Sequence, residues 1–254
     1  MAAERITSRQ NPLVQHLHRI GADRKYRRKS GCFLVEGDKL VGEALRWQGA
    51  PEVLVYTEGT ACPDGLPEGT RVVEVPGALM EHLSTVETPQ HLLALCRTPE
   101  LSLPQQVQPG SYLVLDGVQD PGNVGTIWRT ADAFGADGLI LLPGCADPFS
   151  PKTVRSSMGA CFRLPVWTAE LDALTQQLTE SGITLWATAL RDDTADVRDI
   201  SLRGTAVVIG SEGRGVSQAT LERCTGTVKI PMRDRCESLN AAVAASVVLW
   251  EMAR

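Results

Sequence analysis

YLVLDGVQDPGNVGTIWRTADAFGADGLILLP, residues 112–143, is the stretch whose reading decides the fold. Two short, nearly continuous apolar runs flank a glycine-containing turn and a helical stretch. Runs without polar alternation are strands covered on both faces, the mark of a parallel sheet, and the helix between them is the crossover that parallel strands require. Further runs of the same kind follow in TLWATA (184–189), TAVVIG (205–210) and TVKIP (227–231). The segment SLNAAVAASVVLWEMAR (238–254) reads as a helix of small and apolar residues that packs closely on its own sheet or on another subunit. The fold class expected here is α/β, a mostly parallel sheet with helices on both faces.

Upstream the pattern changes. NPLVQHLHRI (11–20) sets Leu13, Val14, Leu17 and Ile20 on one helical stripe, and RKYRRKSG (24–31) adds a basic stretch ended by Gly31. Strand patterns CFLVEG, EVLVYT, RVVEV and HLLALC alternate with helix patterns KLVGEALRW and GALMEHLS. Such alternation describes a smaller α/β/α domain. RTPELSLPQQVQPGS (97–111) is rich in proline and glutamine and lacks periodicity, as a linker does. The expected domains are therefore residues 1–104 and 105–254.

Composition narrows the function. The 254 residues are 43% hydrophobic and 22% charged, without an apolar run long enough to span a membrane and without an apolar signal core, so a cytoplasmic protein is expected. Seven cysteines without a Cys-x-x-Cys pair suggest neither a disulfide framework nor a metal site, and most read as small buried hydrophobes. The net charge of −5 is unevenly divided. Residues 1–31 carry eight cations against two carboxylates, a net +6, which leaves −11 on the remainder. A basic segment on an acidic body is an electrostatic footprint for polyphosphate, because each neutralised phosphate releases counterions. Arg5, Arg9, Arg24, Lys25, Arg27, Arg28 and Lys29 are the RNA-binding candidates; a solvated charged helix is the plain alternative.

Three segments of the second domain place glycines and polar groups where a strand gives way to a loop, the position at which open α/β sheets build ligand sites. In the first, Pro121, Gly122 and Gly125 surround Asn123 at a helix entrance, with Arg129 further along the helix. Asn123 and Arg129 could address one ligand, or be a cap and a surface cation. The second, TAVVIGSEGRGVS (205–217), sets Gly210, Gly213 and Gly215 around Glu212. It is neither the G-x-G-x-x-G dinucleotide fingerprint nor a P-loop. The third, VKIPMRDRCESLNAAVAAS (228–246), carries Ser238 and Asn240 at a helix start, where Ser238 alone would read as the N-cap. No Gly-x-Ser-x-Gly elbow is present, and all four histidines lie in the first domain, which disfavours a serine hydrolase.

Taken in order, DPGNVGTIWRTADAFGADG, PKTVRSSMGACFRLPV, GSEGRG and IPM followed by SLNAAVAAS resemble the motifs of the SpoU, or TrmH-type, RNA 2′-O-methyltransferases of the SPOUT superfamily. ITSRQNPLV, FLVEG and LSTVETPQ are similar to the N-terminal substrate-binding domain of that family's ribosomal RNA branch, a fold like that of kink-turn-binding ribosomal proteins. The resemblance implies a deep trefoil knot in the second domain, a homodimer with the active site near the subunit interface, and S-adenosylmethionine held by backbone near Thr188, Gly210, Ile230 and Leu239. It implies no metal. Catalytic roles would fall to Arg129, supported by Asn123, Glu212, Ser238 and Asn240. Ser211 stands where asparagine is common in the family.

Methyl transfer from a sulfonium is an in-line displacement, so the protein must align the reacting atoms. A guanidinium stays protonated in proteins, so Arg129 is expected to grip a phosphate and stabilise charge on the 2′-oxygen, oriented by Glu212, while Ser238 and Asn240 fix the ribose. The expected function is S-adenosylmethionine-dependent 2′-O-methylation of structured RNA, with large-subunit ribosomal RNA favoured over transfer RNA. Rival readings are a noncatalytic RNA-binding or ribosome-assembly protein and a dinucleotide-dependent oxidoreductase, the second weakened by the missing fingerprint.

Overall fold

The computed structural model describes residues 3–191, 193–233, 235 and 238–254. The first part of the chain forms β1 (Glu4–Arg5), α1 (Pro12–Ala22), α2 (Arg24–Ser30), β2 (Cys32–Glu36), α3 (Asp38–Trp47), β3 (Val53–Thr57), β4 (Arg71–Val75), α4 (Gly77–Leu83) and β5 (Leu92–Arg97). There follow β6 (Tyr112–Asp116), α5 (Pro121–Ala133), β7 (Gly138–Leu141), α6 (Pro151–Ser157), β8 (Val166–Thr168), α7 (Leu171–Glu180) and β9 (Leu185–Thr188). The chain ends with β10 (Ala195–Asp196), β11 (Ala206–Gly210), α8 (Gln218–Leu221), β12 (Gly226–Lys229) and α9 (Ala241–Ala253).

Two compact units result: residues 1–99 with 149–162, and residues 100–148 with 163–254. The linker reading falls at this division, five residues from the expected break at 104. Residues 149–162, by contrast, pack with the first unit although they lie deep in the second sequence segment. The cause is an apolar sheet face. Phe33 points away from α1 and its ring meets those of Phe149 and Phe162, with centroids 4.6 and 6.0 Å apart. Nothing in PKTVRSSMGACF states which of two sheets it will cover.

In the first unit the strand order is β1-β4-β3-β5-β2, with β3, β4 and β1 parallel and β5 antiparallel to both its neighbours. Alternation along the strands gives two apolar faces. Leu34, Val55, Leu93 and Leu95 meet Leu17, Ile20, Leu79 and Leu83 of α1 and α4, and each such fully buried side chain contributes about 1.5–3 kcal/mol. The opposite face is covered by α3 and α6. The predicted N-terminal helix divides in two. Asn11 caps α1 by accepting from the Leu13 amide at 2.9 Å. Asp23 ends it and caps α2, accepting from the amides of Lys25 and Tyr26.

The second unit is a seven-stranded sheet ordered β10-β12-β9-β11-β6-β7-β8, in which every pairing is parallel. β7 and β11 are buried throughout and β6 up to its last residue, which explains their unbroken apolar sequences. β8 and β10 escape the sequence reading because three and two residues are too short to carry a period. Trp128 of α5 is fully buried, and its indole N–H donates to the Leu164 carbonyl at 3.0 Å, so the one polar atom of that side chain is satisfied. α5 and α9 pack against each other, and α9 also rests on β11. Among the described residues no helix is long and apolar enough to cross a membrane.

Candidate active site

Each candidate loop follows the carboxyl end of a central strand. After β6, Asp120 caps α5 by accepting from the Asn123 amide at 2.9 Å, with Pro121 at the first helical position, where a missing N–H costs nothing. Asn123 is thereby fixed in the first turn. After β11 the chain closes on itself: the Ser211 amide donates to Gly215 and the Gly215 amide to Ser211, at 3.0 and 2.9 Å. That turn leaves no room beside Gly210, where a Cβ would lie 2.0 Å from the Gly215 carbonyl carbon. The far end of the loop is held by Asp116, which accepts from the Ser217 amide at 2.9 Å. After β12, Asn240 caps α9 by accepting from the amides of Ala242 and Val243 at 2.9 and 3.3 Å.

Asn240 is thus the N-cap, and Ser238 is not. The cap also uses its other side. The Asn240 Nδ2 donates to Asn123 Oδ1 at 3.1 Å, and Asn123 Nδ2 donates to Glu212 Oε1 at 2.5 Å. One chain of side-chain bonds therefore ties the entrance of α9, the entrance of α5 and the glycine loop. A neutral relay ending on a carboxylate orients that carboxylate without compensating its charge, and a hydrogen bond to an ionised group is of the stronger kind, about 1.5–3 kcal/mol.

Beside this relay lies a cavity of about 460 Å³. Thr188, Gly210, Ile230 and Leu239, the four expected cofactor contacts, all line it, as do Glu212 and Ser238. Thr188 Oγ1 is itself committed, donating to the Val208 carbonyl at 3.0 Å, so that position presents backbone and methyl to the cavity. Asn123 and Asn240 do not line the cavity and reach it through Glu212, to which Asn123 is bonded. Arg129 does not line it. Arg129 is exposed on α5 and carries no hydrogen bond or ion pair among the described residues, so the expected partnership of Glu212 with Arg129 is replaced by one with Asn123. Six residues separate Asn123 from Arg129, which turns the two side chains about 120° apart around the helix.

The sequence reading missed several contributors. Leu190 lines the cavity while 62% exposed, and Met232 and Lys229 line it as well. Position at or just beyond the carboxyl ends of β9 and β12 was the available signal. The basic segment also needs correction. Arg27 is buried, and its guanidinium donates to the carbonyls of Ile20 and Gly21 at 2.5 and 3.2 Å, so it ties α2 to the end of α1 and offers nothing to RNA. Arg5 pairs with Glu58 at 2.5 Å. Arg9, Arg24, Lys25, Arg28 and Lys29 are exposed. Burial raises the Cys32 thiol to about 11 and the Cys224 thiol to about 12, as expected of packing residues; Cys236 lies outside the described residues.

A family model described as the SpoU rRNA Methylase family matches residues 110–250, more than half the chain and all of the site. The chain belongs to the SpoU rRNA methylase family. A second model, the MRM3-like substrate binding domain, matches residues 11–94. Among SpoU relatives, the chain is 34% identical to the 23S rRNA (guanosine(2553)-2'-O)-methyltransferase RlmP of Bacillus subtilis (strain 168), over 98% of this chain and 99% of that protein. It is also 34% identical to the 23S rRNA (uridine(2479)-2'-O)-methyltransferase of Streptomyces viridochromogenes, over 100% of this chain and 93% of that one. The crystal structure of the SpoU methyltransferase AviRb from Streptomyces viridochromogenes in complex with the cofactor AdoMet superposes with a TM-score of 0.86 at 29% identity, covering 96% of this chain and 97% of that one.

Proposed function

We propose that this SpoU methylase transfers the methyl group of S-adenosylmethionine to a ribose 2′-hydroxyl of structured RNA, with large-subunit ribosomal RNA as substrate. The observation that carries the reading is the meeting of the chain beyond β9, β11 and β12 around one cavity whose wall includes Glu212, which hydrogen bonds tie through Asn123 to Asn240. The donor fits this cavity by volume, since small-molecule sites span roughly 300–1,000 Å³. It also fits by chemistry: Ile209, Val228, Ile230 and Leu239 offer apolar walls to a purine, while Glu212 and Lys229 supply one charge of each sign for a ligand that is itself charged at both sulfur and amino acid ends. When bound, S-adenosylmethionine supplies a methyl group activated by a positive sulfur.

The chain's own part is alignment and charge. Glu212, fixed by Asn123, sets the electrostatics of the cavity wall, and Ser238 offers a hydroxyl there to the ribose. A guanidinium is a permanent cation that donates hydrogen bonds and accepts none, so the part of Arg129 is to anchor an RNA phosphate and stabilise negative charge on the 2′-oxygen. No metal enters this scheme. The two relatives are named for different bases, guanosine and uridine, so the shared feature is the sugar position.

The same reading includes a deep trefoil knot in the second unit. Its support is the strand order: β12 lies outside β9, so the chain leaving β11 crosses β9 to reach it, and α9 then returns to β11 and α5. It includes a homodimer, supported by Val243 and Trp250, which stand 50% and 59% exposed on α9 while Ala241, Ala242, Ala245, Val248, Leu249 and Met252 of the same helix are buried. It includes a cytoplasmic place of action, where buried thiols stay reduced. The test has two steps. Calorimetry is expected to show S-adenosylmethionine binding to the folded protein, and mapping of 2′-O-methylation in cells with and without the gene is expected to show one ribosomal nucleotide that depends on it. No donor binding would leave a noncatalytic RNA-binding protein; a dependent nucleotide in transfer RNA would replace the substrate.

A further inference from the structure

A cavity of about 800 Å³ in the first unit shares no lining residue with the methyl-transfer cavity and is built from three pieces of chain: the end of β2 with the start of α3, the 85–90 loop, and α6 with Met158. Its floor is apolar, made by Leu34, Val86, Val154 and Met158. Met158 is the one non-glycine residue with a positive φ among those described, +50°, a conformation L residues adopt at a cost, and it closes α6 so that its side chain joins this floor.

The charges at the rim divide into committed and uncommitted groups. Glu36 is spent on the loop: it accepts from Ser84 Oγ at 2.6 Å and from the amides of Thr85 and Gln90 at 3.2 and 3.1 Å, which holds the 84–90 segment in place. Asp38 pairs with His91 at 3.1 Å. Lys39 and Arg155 are exposed and have no partner among the described residues, and Glu87 is the one lining carboxylate left without one. The first turn of α3 opens on the same space, since its cap is Gly37 and brings no side-chain acceptor.

We infer that this cleft seats one unpaired, splayed-out nucleotide of the RNA substrate. The inference rests on the functional reading above for the identity of the polymer. Lys39 and Arg155 meet phosphate, the apolar floor takes the face of a base, and Glu87 accepts from a base edge that presents N–H donors. Proteins read structured RNA mainly through such unstacked nucleotides. The cleft also has a consequence for coupling. Val154, Arg155 and Met158 belong to the segment matched by the methylase model, yet they complete a pocket of the substrate-binding unit. The segment matched by the methylase model therefore supplies part of this RNA contact.

The test uses the full chain and large-subunit ribosomal RNA transcribed in vitro with 4-thiouridine or 6-thioguanosine, cross-linked and mapped by mass spectrometry. Cross-links are expected in residues 84–90 and 151–163. Lys39→Gln and Arg155→Gln are each expected to weaken RNA binding on the order of 10-fold and to lower the slope of log affinity against log salt by about 0.7. Thermal unfolding and S-adenosylmethionine affinity should stay unchanged, because both side chains are exposed. Wild-type salt slopes in both variants, or cross-links only outside these segments, would overturn the cleft. Cleft-dependent binding of free nucleoside monophosphates at micromolar concentration would overturn RNA as its ligand. Binding that depends on the cleft with no methylation of the transcript would support the cleft and overturn the functional reading instead.

Discussion

Asn123→Asp changes one atom of the relay and leaves its shape. Asn123 donates to Glu212 at 2.5 Å and accepts from Asn240 at 3.1 Å. In the variant the second bond survives, while the first becomes two carboxylates facing each other. At about 3 Å two like charges repel by roughly 1.4 kcal/mol at the dielectric constant of water and by roughly 5.5 at an effective value of 20. Glu212 is exposed, so the lower figure governs. Adding the lost charge-assisted hydrogen bond, about 1.5–3 kcal/mol, gives a displacement of Glu212 worth about 3 kcal/mol. Turnover on saturating RNA should therefore fall roughly 100-fold at pH 8. The pH profile is the signature. Carboxylates that share a site raise one another's pKa, and protonation of one restores an O–H···O bond, so the variant should regain activity relative to wild type as pH falls towards about 5.5. The assay is transfer of tritiated methyl to a ribosomal RNA transcript, with kcat and KM measured across pH. Wild-type turnover at pH 8 would refute the relay as the device that positions Glu212. An equal loss at every pH would show that Asn123 acts on the RNA and not on the carboxylate.

Gly210→Ala places a methyl 2.0 Å from backbone that cannot rotate aside, so the 211–215 turn must open. Donor affinity by calorimetry should drop at least about 10-fold, with unfolding lowered by roughly 1–3 kcal/mol; unchanged affinity would mean that this turn does not shape the donor cavity. Trp250→Asp puts a charge on the exposed side of α9, where the indole stands edge-on to Phe134 at 5.7 Å; under the proposed homodimer, sedimentation should report a dimer for the wild type and a monomer for the variant, and a variant that stays dimeric would move the interface elsewhere. His82 has its pKa held below the ordinary 6.5 by burial, by the stacked His18 ring and by Arg9. The unfolded chain therefore takes up that proton first as pH falls, and stability is lost between about pH 7 and pH 5. Thermal melts of His82→Gln should show a flatter pH dependence over that window, and an unaltered slope would exclude this residue as its source.

The order and kind of most elements were legible because two faces of burial leave a simple trace: LVL, LILL and AVVIG carry no polar residue wherever both sides of a strand are covered. The three candidate loops were legible for a related reason, since glycines and capping residues must sit where strands end. Other features left no local trace. Arg27 reads as one cation among seven, and only the fold of α2 back onto α1 turns it towards two carbonyls. Ser238 and Asn240 are equally good caps by composition, and the choice fell to Asn240 because a primary amide can accept from α9 and donate to Asn123 at once. The bond between Asn123 and Glu212 spans 89 positions, and the placement of residues 149–162 on the first unit depends on a face that Phe33 presents more than a hundred positions earlier. Short-range patterning and side-chain chemistry thus determined the elements and the family, as both are written in neighbouring residues. Which groups end up committed and which stay available was decided by tertiary structure, because hydrogen-bond partners and packed rings are matters of distance in space, and distance in space is what a linear order of residues does not contain.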